Sequence, residues 1–275
     1  MKAPAASHYR NFALGAAVFF CTLSNVFAGP FEIAISPSRF VITGKSEQRI
    51  GQSFDVNNLG ASATEVSIRT LDWTYSEAGE ISYFDELLPD SCRSWVKLER
   101  KILKVNARAK ATFRFQIDVP AEAPRGECRF MIAVEGVEPA HQAVIQKGGA
   151  SLSLPVSGRI AVPIYVAVNG AQPKLDLKSV GVSKIQGKDV PVVIVSNLGD
   201  AHGRLEGSLD ATDALKQTVE LLPEGTPIMP GQTRSLPLLP RTEPGKKAPE
   251  MTLPFNAEGT LDWENGSFKV NAVFK

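Results

Sequence analysis

Histidine and cysteine are scarce in this 275-residue chain, three of each, and that scarcity removes most reaction chemistry at once. No CxxC pair, HExxH motif, EF-hand loop or Cys/His quartet occurs, so the sequence offers no metal centre and no redox pair. A G-x-S-x-G elbow is missing, and Gly148-Gly149 follows Lys147 without the spacing of a phosphate-binding loop. His141 and His202 stand in polar, turn-like contexts and read as surface histidines. Asp85 with Glu86, and Glu135 near Glu138, flank turns and read as solvated carboxylates. An excess of one charge is also lacking: 30 Lys and Arg stand against 29 Asp and Glu. Nothing in that balance suggests a nucleic-acid footprint or a membrane-binding tail. The expectation is a protein that is not an enzyme and carries no cofactor and no metal.

Long apolar runs are lacking too, except near the start. Phe12 to Leu23 is interrupted only by Thr22, follows the basic Lys2 and Arg10, and leads to Val26-Phe27-Ala28 with a small residue at its end. The run is too short to span a bilayer comfortably, and the pattern reads as a secretory signal over residues 1–28. Phe20 before Cys21 is not the small residue a lipoprotein signal needs, so Cys21 is expected to be discarded. Removing the segment takes away Lys2 and Arg10, leaving 28 basic against 29 acidic residues, a net of −1. Two cysteines remain, Cys92 and Cys128, and an even pair in an exported chain suggests one disulfide.

What is present is strand pattern. It recurs over Phe31 to Ile35, Phe40 to Ile42, Ile50 to Val56, Val66 to Tyr75, Trp95 to Leu98, Thr112 to Val119, Glu127 to Val134 and Leu152 to Val166. Phe113, Phe115, Ile117 and Val119 alternate, as do Cys128, Phe130, Ile132 and Val134, which puts Cys128 on the inward side of its strand. Gly136 to Ala150 reads as a loop between the last two of these strands. Further strands are expected over Leu175 to Val182, Val190 to Val195, Leu205 to Leu209, Thr218 to Leu222, Leu236 to Leu239, Gly259 to Trp263 and Phe268 to Phe274. Short strands at this spacing, parted by Gly, Pro and Asn, indicate an all-β chain of immunoglobulin-like β-sandwiches.

The chain has room for two such units. Phe54-Asp55-Val56-Asn57-Asn58-Leu59-Gly60 is echoed by Val193-Ile194-Val195-Ser196-Asn197-Leu198-Gly199, a strand running into Asn-Leu-Gly both times. Asn and Gly tolerate positive φ, so each copy is expected to supply a strand and then a tight turn. With a seam near Asn169-Gly170-Ala171-Gln172-Pro173, the expected division is a first sandwich over 29–168 and a second over 169–275.

The segment Ser151-Leu152-Ser153-Leu154-Pro155-Val156-Ser157-Gly158-Arg159-Ile160-Ala161-Val162 puts Leu152, Leu154 and Val156 on one side and serines on the other. Pro155 cannot donate a ladder hydrogen bond, which favours an edge. Such a strand either half-buries itself in its own sheet or lends its apolar face to another protein.

An export signal, two immunoglobulin-like sandwiches and an alternating apolar strand closing the first resemble the periplasmic pilus-assembly chaperones, the PapD-like family of chaperone–usher systems. Two motifs carry the resemblance. Ser38-Arg39-Phe40-Val41-Ile42-Thr43-Gly44 is similar to the family's first-strand pattern, which implies that Arg39 anchors the C-terminal carboxylate of a bound subunit, a role suited to a planar guanidinium fork. Leu152, Leu154 and Val156, followed by Arg159 and Ile160, resemble the family's donor strand; the resemblance implies either that Arg159 or another base serves as the second carboxylate ligand, or that the anchor is weaker here. The implied partners are incomplete pilin or fimbrial subunits and, where one is involved, an outer-membrane usher. Two departures accompany the match: Ala161 stands where the family usually has a second anchoring lysine, and Cys92 lies well upstream of the last two strands, which long-loop members of the family tie together. The alternative is an exported tandem immunoglobulin-like adhesion or scaffold module, in which the same strand completes its own sheet.

Overall fold

The structure, a computed structural model, describes residues 31–77, 79–89, 91–137, 141–147, 150–156, 158–249 and 251–275, with backbone pairing alone for 141–147 and 150–156. The expected signal, residues 1–28, lies outside the described residues. Among the described residues no helix is long and apolar enough to cross a membrane, and the helical structure is a single 3-10 turn, Arg93–Trp95.

Among the described residues twelve strands fall before residue 169: β1 (Ile33–Ser36), β2 (Phe40–Gly44), β3 (Arg49–Asn58), β4 (Thr64–Tyr75), β5 (Ile81–Phe84), β6 (Val96–Leu98), β7 (Ile102–Val105), β8 (Lys110–Asp118), β9 (Gly126–Gly136), β10 (His141–Lys147), β11 (Ala150–Val156) and β12 (Arg159–Val168). Ten of them form one sheet in the order β1-β3-β8-β6 and another in the order β2-β12-β9-β4-β5, with β7 also paired to β4, while β10 and β11 pair with each other. The opening segment serves both: β1 pairs antiparallel with β3, and β2 pairs parallel with β12.

Alternation places the core. On β8, Phe113, Phe115 and Ile117 are buried and meet Phe54 of β3 and Phe40 of β2 between the sheets. Each such side chain contributes about 1.5–3 kcal/mol on full burial. Cys128 faces the same core and is bonded to Cys92, with Cα atoms 5.9 Å apart. Met131 and Ala133, on the opposite face of β9, are buried as well. There Leu71, Trp73, Tyr75 and Tyr165 form a second cluster that receives Met229 from the other sandwich.

That other sandwich comprises β13 (Leu175–Ile185), β14 (Lys188–Asn197), β15 (Glu206–Asp213), β16 (Thr218–Pro223), β17 (Thr233–Pro240), β18 (Phe255–Trp263) and β19 (Gly266–Phe274). The hydrogen-bonded order is β13-β14-β17-β16-β15-β18-β19. Leu175, Val193, Leu209, Leu221, Leu236, Leu261 and Phe274, one from each strand, share one core. Seven strands meet in one core only if the sheet folds over on itself, which gives the second sandwich.

The Asn-Leu-Gly echo marks the same device in both halves, though its physical basis differs from the expectation. Neither asparagine nor its glycine takes positive φ. Instead, each asparagine is a buried side-chain hub. The Asn58 Oδ1 accepts from the Gly60 N–H, and its Nδ2 donates to the carbonyls of Ser62, Val105 and Asn106. Asn197 Oδ1 accepts from the N–H groups of Gly199 and Lys174, and Nδ2 donates to Ala201 and Ile228. The glycine is required by close approach: a Cβ at Gly199 would lie 2.3 Å from the Gln172 carbonyl oxygen.

Two further expectations are corrected. Leu152 to Val166 is not one strand: β11 ends at Val156 and β12 begins at Arg159. Within the expected loop from Gly136 to Ala150, residues 141–147 form β10, which pairs with β11 from His141↔Val156 to Lys147↔Ala150.

Candidate functional site: the cleft between the sandwiches and the β10–β11 ribbon

The outward face of β2 follows from its alternation. Phe40 and Ile42 point into the core, so Arg39, Val41 and Thr43 point away, and Val41 is 59% exposed. Beside them on β12 lie Tyr165 and Ala167, and from the second sandwich His202 and Arg204 complete the walls of a cleft of about 450 Å³.

A set of contacts holds this cleft in shape. The Glu127 carboxylate, almost fully buried, accepts from the His202 backbone N–H at 2.9 Å and from its Nδ1–H at 2.5 Å. Tyr165 stacks on the His202 ring. Burial raises the Tyr165 phenol to about 12, so it stays neutral and keeps its proton for donation. Arg125 pairs with Asp200 at 2.5 Å, and that hydrogen bond, more than any other cause, lowers the Asp200 carboxyl below its ordinary range. On the far side of the interface, buried Arg234 lies 4.7 Å from the Tyr75 ring centroid and donates to Thr226 Oγ1, the Pro227 carbonyl and the Tyr75 hydroxyl. Gln232 Nε2 donates to the Tyr75 carbonyl at 2.6 Å.

Of the residues singled out in the sequence, Arg39 stands in the cleft. Arg159 does not join it. It opens β12, six residues before Tyr165, which at about 3.3 Å per residue is about 20 Å along the strand. There it pairs with Glu135, which Arg69 also grips through Nε at 3.2 Å and Nη2 at 3.0 Å. Burial pushes the Glu135 carboxyl up, but the hydrogen bonds and charges of Arg69 and Arg159 outweigh it and hold the group below its ordinary range. Glu135 is therefore an ion-pair centre, not a solvated turn carboxylate. Ile160 likewise leaves the expected donor set: it lies on β12 and packs against the first core. Ala161 packs with the cluster of Trp73, Met131 and Tyr165 and brings no charge to the cleft.

Leu152, Leu154 and Val156 lie on β11, and their side chains are outside the described residues. The backbone is informative by itself. Among the described residues β11 pairs with β10 and with no strand of either sandwich.

Sequence reasoning missed two cleft residues. His202, taken for a surface histidine, is buried between the sandwiches. Arg204 carried no motif; its place depends on the bridge between Gly203 and Ile228, a long-range pairing with no local signal.

No family model matches the chain, and no curated protein matches it. Among solved structures it is similar to the YadV chaperone, at 14% identity over 88% of this chain and 100% of that one, with a TM-score of 0.47. It is similar to the CsuC–CsuE chaperone–tip adhesion subunit pre-assembly complex from the archaic chaperone-usher Csu pili of Acinetobacter baumannii, at 14% identity, covering 88% of this chain and 97% of that one, with a TM-score of 0.44. The E. coli chaperone DraB compares at 14% identity, 89% and 97% coverage and a TM-score of 0.44.

Proposed function

We propose that the chain is a periplasmic chaperone that caps incomplete immunoglobulin-like pilin or fimbrial subunits by lending them a strand, and holds them for assembly at the outer membrane. The observation that carries this reading is the pairing of β11 with β10 alone among the described residues. A strand absorbed into its own sandwich would pair with a strand of that sandwich; β11 pairs with β10 instead and offers an edge together with the alternating Leu152, Leu154 and Val156. That pairing also favours the chaperone over an adhesion or scaffold module, in which the strand would finish its own sheet.

A subunit lacking its last strand exposes a hydrophobic groove and unpaired strand edges, the surfaces most prone to aggregate. One donated strand covers both. The backbone supplies ladder hydrogen bonds, and each apolar side chain contributes about 1.5–3 kcal/mol when fully buried. Ordering the ribbon and losing rigid-body freedom offset part of this, so the bound strand can later be exchanged for a better-fitting one. The chain has no nucleotide-binding motif, and exchange driven by subunit folding needs none. Arg39, exposed in the cleft, is the proposed anchor for the subunit's C-terminal carboxylate.

The test is Leu154→Asp. A charge that must enter an apolar groove without a partner is strongly disfavoured, so recovery of bound subunit from a periplasmic extract should collapse while the melting temperature of the free protein stays within about 1 °C, as for a surface change. A loss of several kcal/mol in stability would place Leu154 in the protein's own core and defeat the reading.

A further inference from the structure

The cleft holds a second cation that the sequence motifs do not reveal. Arg204 follows the Gly203–Ile228 bridge, whose two backbone hydrogen bonds are 3.1 and 2.8 Å, and precedes the buried Leu205. Its backbone is thereby fixed and its side chain is turned into the cleft that Arg39 enters from the opposite wall. Its guanidinium donates to the Gly225 carbonyl and, at 3.4 Å, to the Tyr165 hydroxyl. Both acceptors are neutral, and among the described residues its Nε–H has no acceptor. Burial chiefly, and then the charge of Arg39, make the Arg204 proton easier to lose than usual. Two like charges thus share a partly dehydrated cleft, and among the described residues neither has a carboxylate within ion-pair distance. Glu127, the buried carboxylate lining that cleft, is bonded through Oε2 to His202 and faces Arg129 through Oε1 at 3.9 Å, while Glu206 and Glu264 sit exposed at the rim.

We propose that Arg204, from the second sandwich, is the second arm of the carboxylate anchor, closing on a peptide C-terminus from the wall opposite Arg39. The proposal rests on the chaperone reading above and supplies the positive charge that Ala161 does not. An anion between the two guanidiniums relieves their repulsion and gives each a charged acceptor, which neutral carbonyls cannot do. The neutral Tyr165 hydroxyl, already an acceptor for Arg204, adds a donor. Because the arms come from different sandwiches, binding also ties the two halves together.

The test is titration of the exported chain with acetyl-Ser-Val-Ser-Val-Ser bearing a free C-terminal carboxylate, and with the same peptide amidated, followed through the arginine Nε–H NMR signals. The acid should bind about tenfold more tightly than the amide, the scale of a charge-assisted hydrogen bond, and the Arg39 and Arg204 signals should move together. Arg204→Gln should remove that preference and leave amide binding unchanged. Arg204→Lys should keep part of it, and a lysine variant that melts with the wild type separates charge from packing. Retention of the acid preference in Arg204→Gln, with its loss in Arg39→Ala, would overturn the role of Arg204 and leave the chaperone reading standing. Equal binding of acid and amide to the wild type would remove the carboxylate anchor altogether.

Discussion

Tyr165 of the first sandwich and His202 of the second stack face to face, their ring centroids 3.8 Å apart and their planes 28° from parallel. The contact is fixed from both sides. Glu127 holds the histidine through its backbone N–H and Nδ1, and Trp73 meets the tyrosine edge-on at 5.7 Å. The stack thus joins the two sandwiches at the wall of the cleft.

His202→Ala should therefore act on shape as well as stability. It removes the ring stack and leaves the buried Glu127 carboxylate with one donor fewer, a loss of about 1–3 kcal/mol. Thermal melting reads the stability, and small-angle scattering reads the change in angle between the sandwiches. An unchanged scattering profile with lowered stability would assign the angle to Arg234 and Tyr75 instead.

The two arginines from the motifs should separate cleanly. Arg39→Ala is expected to leave melting unaltered, since Arg39 is exposed, and to abolish or severely weaken subunit capture. Arg159→Ala should leave capture near wild type, because Arg159 lies far along β12 from the cleft and pairs with Glu135 of β9. Pull-down of the same subunit by both variants checks this.

Cys92→Ser should lower stability by about 2–4 kcal/mol, the usual contribution of a bridge closing a loop of this length. Here the sequence separation is 36 residues, and both sulfurs lie in the core. Non-reducing intact mass, two hydrogens below the fully reduced chain, reads the bridge directly.

The Arg69–Glu135–Arg159 group gives a pH dependence of defined sign. Its carboxyl is held below the ordinary glutamate value of 4.5 in the folded state. The stability it contributes is thus complete above that value and is lost as pH falls through the lower, folded one. Glu135→Gln should melt below the wild type at neutral pH, and the gap should close as the pH falls through the lowered, folded value. A gap constant with pH would show that packing, not charge, is what Glu135 supplies.

Period-two alternation at Phe113 to Ile117 and at Cys128 to Val134, with turn residues between, was enough to establish an all-β chain and the inward face of Cys128, because strand geometry ties side-chain direction to local order. The Asn-Leu-Gly echo was visible as a repeat, but its cause was not: Asn58 reaches Val105 and Asn106 only once the sheets have closed. The sites separate in the same way. Arg39 stands inside a local motif and could be read from it. Arg204, His202 and Glu127 share the cleft because β9, β12 and the segment around Gly203 converge, Glu127 and His202 being 75 residues apart, and no short window records that approach. Arg159 separates for the complementary reason: the family resemblance implies a cleft ligand, whereas the pairing of Arg159 with Glu135 across β12 and β9 puts it beside a carboxylate that claims its charge. Sequence by itself determined which residues face inward along each strand; only the packing of two sandwiches decided which outward-facing residues share a cleft, because that packing depends on contacts between segments that no local periodicity links.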